Sequence, residues 1–338
     1  KAGADPNDGQ ALYNRMFQRG HLCLELMLEF GLGPEGRCNW LIEDGNGGYK
    51  PHPDQTLHYQ LKWAIKSGYV DRAKLLVEHE AGLETASGEP TLYELALLAG
   101  EKELADFLVD QGAERPELDP ETVFAVACVS GREEEARALL KADPGLLERC
   151  LQARPELLKL AVENGRYDSV RLLADLGVEV KGSEGPIYNA VWEGDLEMVR
   201  LLIDLGVNPQ HRDGCHDATP MQWASFHKDR KEIMDFLVTC EIDIFDAVLA
   251  DDGVKIDSLL EKNPESLEMT RADLRYPPKK GADQREATPL MFAVLRNKPE
   301  AAKALLTHGA SRDVTDSDGR TLLQLTGDEA LVRILSTD

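Results

Sequence analysis

One short unit, repeated, limits what this chain can fold into more than any other feature. An apolar or small-residue segment runs up to a glycine, and an acidic, leucine-rich segment follows at once. The unit reads LKWAIKSGYVDRAKLLV around Gly68, LALLAGEKELADFLV around Gly100, VACVSGREEEARALL around Gly131, LAVENGRYDSVRLLA around Gly165 and NAVWEGDLEMVRLLI around Gly194. These glycines stand 32, 31, 34 and 29 positions apart. A self-similar period a little over thirty means stacked supersecondary units. None of them can bury its own apolar face, so the stabilising area comes from contact with the next unit.

Inside each unit the spacing dictates two helices. Ala64, Ala96, Ala127, Ala161 and Ala190 sit four positions before the glycine, where a bulky side chain blocks close stacking. The glycine can adopt the left-handed conformation that ends a helix. The Leu-Leu or Leu-Val pair seven to nine residues later in the sequence supplies the buried stripe of the second helix. The expectation is an all-α chain of short antiparallel helix pairs.

Four further segments, ATPMQWASF at 218–226, ATPLMFAVL at 287–295, LTHGASRD at 306–313 and GADPN at 3–7, resemble the ankyrin repeat family. Thr219 and Thr288, each followed by Pro, fit helix starts in which the hydroxyl caps free amides and Pro occupies the first turn. The units between 55 and 200 have lost Thr-Pro. The resemblance implies an ankyrin-type helix-pair repeat solenoid with irregular finger insertions, spanning 1–338 as one array. Counting from Asp8–Leu28 through the five glycine units to 216–238, a worn unit at 242–260, 288–306 and 321–335 gives about ten helix pairs. GADPN resembles the end of a unit, so a further helix pair is expected upstream of Lys1. A terminal cap with a shortened second helix is expected over 319–338.

Two segments, 34–54 and 267–287, exceed ordinary loop lengths. The first holds Trp40, Leu41 and Ile42 ahead of a Gly-rich tail, so part of it is expected to pack on the array. The second is locally basic, with Arg271, Arg275, Lys279, Lys280 and Arg285. A third segment, HRDGCHDA at 211–218, gathers His211, Asp213, Cys215, His216 and Asp217 on one finger. These residue types can ligate metal. The spacing matches no zinc pattern, however, and capping of loop amides is the expected role.

Lys and Arg number 38 and Asp and Glu 61, a net charge of −23. Such a balance repels phosphate backbones and anionic lipid and favours basic or neutral partners. Neither nucleic acid nor a membrane is expected as a partner. Cys23, Cys38, Cys128, Cys150, Cys215 and Cys240 form no CxxC pair and read as reduced, mostly buried thiols. No stretch nears about 18 apolar residues and KAGADPN lacks a signal-peptide pattern, so the cytoplasm is the expected location. No Gly-rich phosphate loop, HExxH or GxSxG occurs, and no catalytic residue, metal ligand or cofactor is assigned.

The resemblance implies a protein-binding scaffold working through a concave groove and finger loops. Its variable, groove-facing positions lie one and two before each helix-ending glycine. Trp192 and Glu193 hold them in one unit, and Phe226 and His227 in the next, where Lys228 replaces the glycine. With Asp213, His216 and Asp217 on one finger, and Arg275 and Tyr276 on the basic loop, these form the expected partner surface. Trp63 and Trp223, three positions earlier, are expected to be partly core. An enzyme or small-ligand binder using His216, Asp217 and His227 in the same groove is the alternative. Oligomeric state is left open. The register makes one prediction: Ala190→Leu should lower stability by about 1–3 kcal/mol through overpacking, and an unchanged melting midpoint would refute it.

Overall fold

Side-chain capping marks the start of several of the helices. The computed structural model describes residues 12, 20–34, 41–43, 49–51, 55–180, 185–214, 216–280 and 284–337. The GADPN segment and most of 8–19 lie outside them, as do Cys38, Trp40 and Cys215. Thr219 accepts the Gln222 amide, while Gln222 Oε1 returns to the Thr219 amide at 2.9 Å, a reciprocal capping box. Thr91 makes the same box with Glu94 although no proline follows it. Asp119 caps the next unit by accepting the Thr122 amide at 2.5 Å, with Pro120 behind it. Two of the five units that lost Thr-Pro therefore keep a side-chain cap, whereas the first helices starting at Thr56, Leu157 and Pro186 have none.

The chain forms two compact units, 1–178 and 179–338. The first opens with α1 (Leu22–Glu29) and a two-stranded antiparallel ribbon, β1 (Leu41–Glu43) with β2 (Tyr49–Pro51), Leu41 opposite Pro51. Helix pairs follow: α2 (Thr56–Lys66) with α3 (Val70–Glu78), α4 (Leu92–Leu98) with α5 (Lys102–Asp110), and α6 (Pro120–Val129) with α7 (Glu133–Ala142). The first helices α2, α4 and α6 stack in succession. Ala64, Ala96 and Ala127 at their contacts are wholly buried, as the small-residue seam requires.

An extra helix then appears that the repeat pattern does not announce, α8 (Leu146–Ala153), packed on α6. It precedes α9 (Leu157–Glu163) and α10 (Tyr167–Asp175). Its trace in the sequence is the longest glycine spacing, 34 positions. The turn between α9 and α10 bonds to three earlier helix ends. Asn164 Nδ2 donates to Lys66 O at 3.1 Å, Arg166 Nη2 to Gly100 O at 3.1 Å, and Ser169 Oγ to Val129 O at 2.8 Å.

The second unit holds α11 (Pro186–Glu193) with α12 (Leu196–Asp204), α13 (Pro220–Ser225) with α14 (Lys231–Thr239), and α15 (Ile244–Ala250) with α16 (Gly253–Lys262). After the 267–287 loop come α17 (Pro289–Leu295) with α18 (Pro299–Thr307), then α19 (Leu322–Leu325) with α20 (Glu329–Ser336). First helices stack in the order α11, α13, α15, α17, α19. In the terminal pair the shortened helix is the first, four residues against eight, not the second as the sequence suggested. Where a turn glycine is missing, Asp251 and Asn297 take the left-handed conformation at φ 57° and 55°. These residue types tolerate it best after glycine.

Gly194 (φ 79°) serves a second purpose. Arg230, at the start of α14, lays its guanidinium over this turn, donating from Nε to Val191 O at 2.9 Å and from Nη2 to Trp192 O. It thereby brings a positive charge and two donors to carbonyls at the negative end of α11, where Val191 O also accepts the Gly194 amide at 3.2 Å. A Cβ at Gly194 would sit 2.8 Å from Arg230 Cζ, whereas one at Gly177 (φ 92°) meets nothing within 4 Å. Gly177→Ala should cost about 1–2 kcal/mol of backbone strain. Gly194→Ala should cost roughly 1 kcal/mol more through the displaced arginine. Equal losses in denaturant melts would show that the clasp contributes nothing.

Candidate partner-binding site

The 211–218 finger is shaped by one carboxylate. Asp213, 8 % exposed, accepts the Ala218 amide on Oδ1 at 2.7 Å and the His216 amide on Oδ2 at 2.8 Å. Its own amide donates to Ala218 O at 3.1 Å. Burial pushes this carboxyl upward, but the two amides, with the side chains of Trp223 and His216, outweigh it and hold its pKa below the ordinary value. Asp217 sits left-handed at φ 55°. The Tyr188 hydroxyl donates to His211 O at 2.9 Å and ties the finger to α11.

The finger delivers His216 to an aromatic cluster. Its ring meets Trp223 edge-on at 5.1 Å, Trp223 meets Trp192 at 5.9 Å, and Trp192 meets His227 at 4.8 Å. Tyr188 lies 6.1 Å from Trp223. Edge-to-face pairs at these separations are mutually favourable. Trp223 is half-buried in the middle, whereas Trp192 is 38 % and Phe226 63 % exposed. Two successive first helices therefore present one continuous aromatic patch.

The 267–287 loop docks on the same finger. Arg212 donates from Nε to Tyr276 O at 2.9 Å and from Nη1 to Asp217 O at 2.7 Å and Gln222 Oε1 at 3.1 Å. Lys279 donates its amide to Asp217 Oδ2 and its Nζ to Gly214 O, both at 2.6 Å. Between finger, α13, α15, α17 and loop lies a cleft of about 310 Å³ lined by His216, Asp217, Gln222, Phe226, Arg271 and Arg296 among others. The Arg271 and Arg296 guanidinium carbons lie 4.9 and 5.2 Å from the Phe292 ring. Behind the cleft Asp246, 1 % exposed, accepts the Thr219 hydroxyl at 2.9 Å. Burial and then the Asp243 charge raise its pKa well above the carboxylate range. Burial, then Arg212 and Arg296, bring Arg271 down to about 10.

Residues 158–247 match the family model for ankyrin repeats in three copies, and residues 281–325 match the model for ankyrin repeats in many copies. These two segments carry ankyrin repeats. The first match contains the aromatic cluster and the finger. Among solved structures the human ASB11 ankyrin repeat domain is 18% identical, with 81% of this chain and 95% of that one covered at a TM-score of 0.29. No curated protein matches the sequence. Ankyrin repeats are generally protein-interaction modules.

On this ankyrin framework the nine candidate residues separate by role. Asp213, His216, Asp217 and the Tyr276 carbonyl meet at the joined finger and loop. Trp192 and His227 are linked directly, and Phe226 shares the cleft with His216. Glu193 is exposed at the end of α11, and Arg275 lies over its neighbour Tyr276 at 5.4 Å from the ring. Among the described residues no group of three or more His, Cys, Asp or Glu is placed to hold a metal ion.

Sequence reasoning missed Tyr188, Arg212 and Arg296, and placed Trp223 only as partial core. It also missed a cleft of about 640 Å³ in the first unit, bounded by Lys66, Leu98, Asp119, Arg149, Arg154 and Leu160. There Arg149 is neutralised by Glu121 at 2.7 Å and Asp143 at 2.5 Å, and Arg154 bonds Thr122. Its wall is the unannounced α8.

A carboxylate with a depressed folded pKa stabilises above its ordinary pKa, and the contribution is lost as pH falls through the folded value. Asp213→Asn should therefore be less stable by about 1–2 kcal/mol near neutral pH. Denaturant melts from about pH 7 to about pH 3 should show the gap closing at the acid end. A gap independent of pH would mean that the charge is irrelevant to the finger.

Proposed function

We propose that the second unit holds a protein partner on the surface formed by Trp192, Phe226, His227 and the joined finger and loop. The observation that supports this most directly is the row of ring contacts through His216, Trp223, Trp192 and His227, with Trp192 exposed at its edge and Phe226 exposed at the end of α13. Rigid aromatics supply a large contact area with little entropy to lose, and such residues dominate binding energy at interfaces. The finger that carries His216 is fixed by Asp213 before any partner arrives, which lowers the ordering cost of association.

The chain's charge of −23 favours a basic or neutral protein surface over nucleic acid or anionic lipid. No helix among the described residues is long and apolar enough to cross a membrane. A cytoplasmic location agrees with the free thiols of Cys23, Cys128, Cys150 and Cys240 among the described residues, of which Cys128 and Cys150 are buried. Burial, with smaller electrostatic contributions, pushes their pKa values up to about 12 and about 11, away from reactivity.

Affinity purification with mass spectrometry identifies the partner, and binding by variants tests the surface. Trp192→Ala and Phe226→Ala should each weaken affinity by about 2 kcal/mol or more, while Glu134→Ala on α7 leaves it unchanged. Circular dichroism and melting should stay near those of the parent. If both aromatic variants bind normally yet melt early, these side chains are structural and the partner surface lies elsewhere.

A further inference from the structure

The cleft beside the aromatic patch carries the opposite charge from the chain as a whole. Arg271 and Arg296 line it, and Asp217 is the only carboxylate residue among its lining residues. Asp217 Oδ2 already accepts the Lys279 amide at 2.6 Å. Arg296 makes no ion pair among the described residues and is exposed at the mouth of the cleft. Arg271 is 5 % exposed, and both guanidinium groups pack against the Phe292 ring. Gln222 Oε1 is occupied by Arg212 and by the Thr219 amide, which leaves its amide nitrogen as a further donor on the lining. Phe226, Leu249 and Pro278 provide apolar walls.

Arg271, Arg296 and Gln222 all line a space at the small end of ligand sites. Planar guanidinium groups suit the two oxygens of a carboxylate. The half-buried Asp243, together with the acidic field of the chain, moderates the positive potential. A singly charged anion fits that balance better than a phosphate. The cleft is continuous with the aromatic patch, because His216 both lines the cleft and meets Trp223 edge-on, and Phe226 lines the cleft three positions after Trp223.

We infer that this cleft is a carboxylate subsite, which takes an acidic side chain or the C-terminal carboxylate of an extended partner segment while an adjoining apolar residue lies on Phe226 and Trp192. The inference rests on the scaffold reading and names the chemistry that the scaffold selects. It reconciles an acidic chain with acidic recognition, since the partner need be negative only at the anchoring residue.

The test is selection of random peptides with free C termini on the full chain, followed by fluorescence polarisation with the enriched sequences. Enriched peptides should place Asp, Glu or the terminal carboxylate next to an aromatic or aliphatic residue. Replacing the internal acid with its amide, and separately amidating the C terminus, identifies which carboxylate is bound, and one of the two should cost about tenfold or more. Arg296→Glu should cost a similar factor and recover binding to a peptide with Lys in place of the acid, whereas Lys262→Glu changes neither. Trp192→Ala should weaken the same peptides. Enriched peptides without an acidic anchor, or affinities indifferent to Arg296→Glu, overturn the carboxylate subsite while leaving the scaffold reading intact. Failure of the folded chain to enrich any peptide overturns the scaffold reading itself.

Discussion

Close approach of neighbouring first helices is the constraint on which the rest of the structure depends. It is set by alanines at their contacts, Ala64, Ala96, Ala127 and Ala190 among them, each 2 % exposed or less. Helices this short are marginal alone, and stacking supplies the area that keeps them. The same spacing makes the candidate site. Trp192 at the end of α11 and Trp223 in α13 reach ring contact at 5.9 Å because their helices are adjacent members of the stack. Arg230 reinforces the spacing by tying the start of α14 to the terminal carbonyls of α11, over a turn where a Cβ would sit 2.8 Å from its guanidinium carbon.

Features that depend on local pattern were legible in the sequence, and features that depend on distant partners were not. Glycine spacing and the alanine positions gave the helix pairs, and the positions before the turn led to Trp192 and Phe226. Thr91 shows a limit of motif reading, since a capping box forms without the proline that makes the family motif conspicuous. The helix α8 went unread because a three-residue lengthening of one spacing looks like loop variation. Arg271 was visible as part of a basic loop. Its burial against Phe292, and its pairing with Arg296 from the far side of the loop, depend on how the loop folds back.

That fold-back follows from hydrogen bonding. Two segments that look independent in sequence, 211–218 and 267–287, share Arg212 and Asp217 as a common hub. Arg212 spends its donors on backbone carbonyls and on Gln222, and Asp217 accepts a backbone amide. Such bonds fix where the loop sits while leaving Arg275 and Lys280 exposed. A finger insertion costs little loop entropy. Once anchored at both ends, it adds a wall to the groove at small expense in stability.

Charge in the second unit is arranged against the sign of the whole molecule. Asp246 is pushed toward its neutral form by burial and by Asp243, so it offsets less of the nearby arginine charge than a free carboxylate does. Arg271, crowded by Arg212 and Arg296 and desolvated, sits where an added anion relieves like-charge repulsion without reorganising the site. The aromatic patch supplies area but little directional preference, and the paired arginines supply direction with modest area. Specificity in such a groove arises from requiring both at a fixed separation, and that separation is held by Asp213 within the finger and by Phe292 beneath the arginines.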